Sequence, residues 1–126
     1  MNQISINITI VILLLISSCT SIKDKPQLQL STYTYDFGII KKDTSYTGSV
    51  VLTNIGNSSL HIEDISAGCS CTKSTLSNCD IQPGDTSLLT FTYNSLGKKG
   101  MQENYIILKA NTDSLIYVLQ INANIK

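Results

Sequence analysis

Arginine and tryptophan are absent from this 126-residue chain, histidine occurs once and proline twice. All nine cations are lysines, and nine acidic residues balance them to a formal charge of zero. Nucleic-acid binding needs a basic face that neutralises phosphates, so these absences exclude it as a function class. A single histidine also removes most acid–base constellations. No serine has a histidine and carboxylate partner suggested by the sequence, so a hydrolase triad is not supported. There is no long hydrophobic run either. The longest, Ile8 to Ile16, has nine residues, against about 20 for a membrane-spanning helix. The chain length allows one domain.

What is present begins at the N-terminus. The run Ile8–Ile16 has the length of a signal-peptide hydrophobic region, about 7 to 15 residues, and is followed by Ser17, Ser18 and Cys19. An aliphatic residue, two small residues and a cysteine resemble the lipobox of bacterial lipoproteins. In that family the cysteine thiol receives a diacylglycerol and becomes the new N-terminus after cleavage. The resemblance implies a signal peptide over 1–18, Cys19 as the lipidated residue, and a polar tether over 19–27. It also implies a membrane partner reached through that lipid. The expected address is the bacterial cell envelope, anchored in the outer membrane and facing the periplasm.

Residues 28–126 read as strands. Apolar and polar residues alternate in Tyr46–Ile55, Leu60–Ile62, Leu89–Tyr93, Ile106–Leu108 and Leu115–Ile125. No sustained helical stripe interrupts them. The parity of Leu28 and Leu30 differs from that of Tyr33, Tyr35 and Phe37, which predicts a bulge or two short strands. A second shift separates Ile62 from Ile65. Turn residues cluster at 54–59, 83–85, 97–100 and 111–113, the third needing positive φ at one or both glycines. About seven short strands at this spacing predict an all-β, antiparallel β-sandwich. Leu52, Phe91 and Leu119 are expected in its core. Tyr33, Tyr35 and Tyr46 are either packing residues or part of a binding surface.

Five pieces occur in a recognisable order: Asp36-Phe37-Gly38, Asn54-Ile55-Gly56-Asn57, Cys69-Ser70-Cys71-Thr72, Pro83-Gly84-Asp85 and Gly97-Lys98-Lys99-Gly100. Together they resemble domain of unknown function 1573, common in lipoproteins of Bacteroides-type bacteria. The resemblance implies an immunoglobulin-like sandwich akin to domains of ciliary and centrosomal proteins and of pilus chaperones. It implies no enzymatic activity. The usual family motif is Cys-Gly-Cys-Thr; here Ser70 takes the middle place and Cys79 is additional.

The Asp-Phe-Gly tripeptide also occurs in protein kinases, but no nucleotide loop or catalytic loop accompanies it. Gly97–Gly100 lacks the Lys-Ser or Lys-Thr ending of a phosphate loop and reads as a hairpin tip. Cys69, Cys71 and Cys79 carry the unusual chemistry. Three readings stand: a structural disulfide involving Cys79, a soft-metal site of Cys69 and Cys71 with Cys79 or His61, and a redox-active pair. In an extended strand Cys69 and Cys71 would lie roughly 6.5–7 Å apart, at the upper limit for a disulfide, so Cys79 is the expected partner of one of them. His61 is expected to face water. The functional expectation is a non-enzymatic, lipid-anchored binding or assembly module. It would have a protein partner, no cofactor and no small-molecule substrate. The alternative is a periplasmic metal-handling or thiol-redox protein.

Overall fold

The computed structural model describes residues 23–126. The signal-peptide expectation and Cys19 lie outside the described residues. Among the described residues nine strands follow one another without a helix: β1 (Leu28–Leu30), β2 (Thr34–Ile40), β3 (Ser45–Asn54), β4 (Leu60–Ala67), β5 (Thr72–Leu76), β6 (Asp80–Ile81), β7 (Thr86–Asn94), β8 (Gly100–Ala110) and β9 (Ile116–Ile125). They form two packed sheets, ordered β1-β3-β7-β5 and β2-β9-β8-β4-β6. This is the all-β sandwich expected from the alternation. The count exceeds seven because β5 and the two-residue β6 carry too little apolar alternation to show in the sequence.

Both parity shifts have structural causes. Leu30 ends β1 on one sheet and Thr34 begins β2 on the other, so the chain crosses between sheets at residues 31–33. β2 then runs parallel to β9, and among the described residues the other strand pairs are antiparallel. The second shift is a register break between Ile62 and Asp64 in the β4–β8 pairing. An extra residue there re-aims the strand, so Ile62 is buried and Ile65 returns to the inner side.

Alternate residues of both sheets fill the space between them. Leu52, Phe91 and Leu119, the expected core positions, are 0%, 1% and 0% exposed. Leu115 departs from its expected place in the final strand. It sits in the β8–β9 turn at φ 62°, exposed, and β9 begins one residue later. The 97–100 turn uses positive φ at both glycines.

One end of the sandwich is closed by aromatics. Tyr35 meets Phe37 and Phe91 edge-on at centroid separations of 4.9 and 5.0 Å, and Phe37 also approaches Tyr46 and Tyr93. Phe37 therefore plugs the core at a strand end. Tyr35 and Tyr46 are packing residues, whereas Tyr33 is about half exposed. Gly48 makes room for this cluster, since a Cβ there would lie 2.7 Å from the Tyr35 ring and 2.8 Å from Phe91.

The opposite end is organised by Asn54, which is fully buried. Its amide donates to the carbonyls of Ser58 and Ile81 at 2.8 and 2.9 Å and accepts from Gly56 N–H at 2.9 Å. Its backbone bonds to Gly84 and Asp85. One residue thus couples the Asn54–Asn57 and Pro83–Asp85 turns. Lys25–Gln27 also join this end through Asn57 and Ile55, so ordered contacts begin three residues before β1.

Candidate functional site

The chemistry collects where β4 hands over to β5. Gly68 N–H bonds to the Tyr105 carbonyl at 3.0 Å and ends the β4 pairing with β8. The chain then turns back across the sandwich. Thr72 N–H reaches the Cys69 carbonyl at 3.3 Å, and Cys71 N–H donates to Cys69 Sγ at 3.0 Å. This turn brings the Cα atoms of Cys69 and Cys71 to 5.2 Å, and the two residues form a disulfide.

That corrects the expectation that Cys79 would be a disulfide partner. The expectation assumed an extended Cys69–Cys71 segment; a turned one falls inside the usual range of about 4.4–6.8 Å. Cys79 is a free, exposed thiol. β5 separates it from Cys71, and five extended residues span roughly 16 Å. The proposed metal set is also pulled apart. His61 stands at the start of β4, opposite Asp80 of β6, and its Nδ1 lies 2.5 Å from Asp80 Oδ1. Cys69 follows the far end of β4, roughly 20 Å along the strand. Among the described residues no three His, Cys, Asp or Glu side chains are grouped to hold a metal ion. His61 faces solvent, as strand alternation implied.

The disulfide borders an open groove of about 510 Å³, whose lining includes Ser45, Ser70, Lys73, Asn94 and Lys98. Among the described residues two lysines and no carboxylate line it, which gives it a positive charge. Lys73 follows the cysteines directly in sequence, whereas Lys98 arrives from the Gly97–Gly100 tip, which sequence spacing does not associate with them.

Behind the disulfide the surroundings change from groove to core. Cys71 packs against the cluster of Ile40, Tyr93, Ala123 and Ile125. Asn104, pointing inward from β8, places Oδ1 3.9 Å from Cys71 Sγ, and Thr72 Oγ1 is also 3.9 Å from that sulfur. Tyr93 Oη and Asn104 Nδ2 are both buried without a hydrogen-bond partner. Burial pushes the Tyr93 hydroxyl pKa up from its ordinary value, and the adjacent Asn104 side chain partly offsets this. The two groups adjoin, so each is the other's nearest hydrogen-bonding neighbour, and leaving that bond unmade costs about 1–3 kcal/mol.

β5 also forms an edge of the four-stranded sheet. The Cys71 carbonyl and Ser77 N–H bond to β7, which assigns the odd-numbered residues to that pairing. Ser74 and Leu76 consequently turn their backbone groups outward. The other edges are shortened or interrupted: β1 has three residues, β6 has two, and β2 is broken in register between Asp36 and Ile39.

A family model described as protein of unknown function (DUF1573) matches residues 28–125. No curated protein matches the sequence. Among solved structures, a protein of unknown function from Porphyromonas gingivalis W83 superposes with a TM-score of 0.72 at 14% identity, over 86% of this chain and 50% of that one. The present chain thus spans half the length of that relative. The ASH/PapD-like domain 7 of human CEP192 gives a TM-score of 0.61 at 8% identity, covering 87% and 96%. VesB protease of Vibrio cholerae gives 0.67 at 10% identity, covering 78% of this chain and 32% of the protease chain. At these identities the likeness is one of fold.

Proposed function

The chain belongs to the family of proteins of unknown function DUF1573, and on that premise we propose that it is a non-enzymatic, lipid-anchored binding or assembly module of the bacterial envelope. The observation that carries the binding reading is β5. It is an uninterrupted sheet edge, with outward backbone groups at Ser74 and Leu76 and a positively charged groove at its start. An extended partner segment can add there as a strand. Main-chain hydrogen bonds would supply affinity, and a carboxylate seated between Lys73 and Lys98 would supply register. The envelope address and the anchor rest on the lipobox-like sequence ending at Cys19, and the address proposed is the outer membrane, facing the periplasm.

The test uses the full chain in cells, with a photo-crosslinking residue in place of Thr75. We expect a discrete adduct that disappears with Ser74→Pro, which deletes an outward N–H while leaving the β7 pairing to odd-numbered residues. Lys73→Glu should weaken the same adduct at least threefold. An adduct indifferent to both changes would show that the edge of β5 is not the binding surface.

A further inference from the structure

We propose that the Cys69–Cys71 disulfide is redox-active and accepts two electrons from the dithiol of a partner protein, with Cys71 as the thiolate held between Asn104, Tyr93 and Thr72. Four observations converge on this pair. The disulfide borders an open groove rather than being sealed in the core. It closes a loop of only three residues, in a segment that β7 already fixes through the Asn94–Cys71 hydrogen bond. A purely structural crosslink constrains little there. The groove carries Lys73 and Lys98 without an opposing carboxylate, which favours an approaching thiolate and the thiolates produced.

The fourth observation is the pair of unsatisfied donors. A disulfide sulfur has no hydrogen to give, yet Asn104 turns its carbonyl oxygen toward Cys71 Sγ and leaves Nδ2 without a partner. Rotating the amide by half a turn places Nδ2 against the sulfur. Tyr93 Oη, beside Asn104, is likewise an unused buried donor. The Thr72 hydroxyl is already within 3.9 Å of the sulfur. An anionic sulfur at Cys71 gives Asn104 Nδ2 and the Thr72 hydroxyl an acceptor, and the turned amide then offers its Oδ1 to Tyr93 Oη.

The step balances as follows. A thiolate of the partner dithiol attacks Cys69 Sγ, forming a mixed disulfide. The Cys69–Cys71 S–S bond breaks, and its electron pair leaves on Cys71. The partner's second thiol, deprotonated, attacks the partner sulfur bound to Cys69 and expels the Cys69 thiolate. The partner gains a disulfide and loses two electrons and two protons; Cys69 and Cys71 gain both and become thiols. Cys71 N–H, already bonded to Cys69 Sγ, stabilises the second leaving thiolate as well.

The experiment takes the full chain in detergent. The protein is reduced with dithiothreitol and equilibrated in mixtures of reduced and oxidised glutathione. It is then quenched in acid, alkylated and peptide-mapped, so that Cys69, Cys71 and Cys79 are read separately. Alkylation rate against pH gives each thiol's titration. We expect Cys69 and Cys71 to interconvert between thiols and disulfide in glutathione mixtures. Cys71 should titrate at least one pH unit below the ordinary cysteine value of about 8.5. Asn104→Leu and Tyr93→Phe should each raise that titration and shift the glutathione midpoint at least threefold toward the disulfide. Tyr93→Phe keeps the ring in the core, and the wild-type titration stands independently of any variant. A Cys71 thiol titrating at or above the ordinary value, a disulfide inert to glutathione, or a midpoint unmoved by both variants overturns the proposal.

Discussion

At the residue scale the side chains divide between those that fill the sandwich and those that do chemistry at its end. Phe91 is the clearest of the first kind. It lies at the centre of the inner face of β7, 1% exposed, touching Tyr35 and Phe37 across the sandwich. Truncating it leaves a cavity beside the Tyr35 and Phe37 rings. Phe91→Ala should cost about 3–5 kcal/mol, and Leu52→Ala and Leu119→Ala about 2–5 kcal/mol each. Urea denaturation followed by circular dichroism measures these losses. Stability unchanged at all three positions would contradict the packing described here. These positions were readable in the sequence because strict apolar alternation leaves them only one face. Tyr93 was readable as a core residue for the same reason. That its hydroxyl would end without a partner, next to Asn104 and Cys71, depended on two strands distant in sequence.

At the scale of elements, legibility followed side-chain chemistry. The parity changes at residues 31–33 and 62–65 were visible and proved to be a sheet crossing and a register break. β5 was not visible. Its sequence Thr72-Lys73-Ser74-Thr75-Leu76 has one apolar residue, so alternation carries no signal, and its extended form is imposed by pairing with β7. The turn before it was missed for a related reason. Strand spacing treats a Cys-Ser-Cys segment as extended, whereas the crossing from β4 to β5 folds it back. The element-scale prediction concerns this crosslink. A three-residue loop contributes about 1.6 kcal/mol in the chain-entropy account, and β5 keeps its β7 hydrogen bonds without it. The double variant Cys69→Ser, Cys71→Ser should therefore lose no more than about 2 kcal/mol and keep its β-type circular dichroism spectrum. A loss of 4 kcal/mol or more would show that the disulfide is a structural staple, and would favour the ordinary reading of the cysteines.

At the scale of the whole molecule the two chemistries occupy opposite poles. Lys25–Gln27 are tied to the Asn54–Asn57 turn, and Lys25 Nζ bonds to Asp113 at 2.8 Å in the β8–β9 turn. That end also holds the start of β4 and the β6 segment, with His61, Asp80 and the free Cys79. The groove lined by Ser45, Asn94 and Cys69 lies at the other end of β3 and β7. β3 has ten residues, which at a rise of about 3.3 Å puts the two poles roughly 30 Å apart. If Cys19 is lipidated, the residues between it and Lys25 reach at most about 20 Å when extended. The lipid then holds the Asn54 pole toward the membrane and presents the disulfide groove away from it. This orientation can be measured on the processed protein in vesicles containing nitroxide-labelled lipid. A fluorophore on the native Cys79 thiol should be quenched several-fold more than one on Met101→Cys, which lies exposed at the start of β8 beside the groove pole. Cys19→Ala should abolish lipid labelling, vesicle binding and the quenching difference together. Equal quenching at the two sites would overturn the orientation, and lipid labelling that survives Cys19→Ala would overturn the anchor itself.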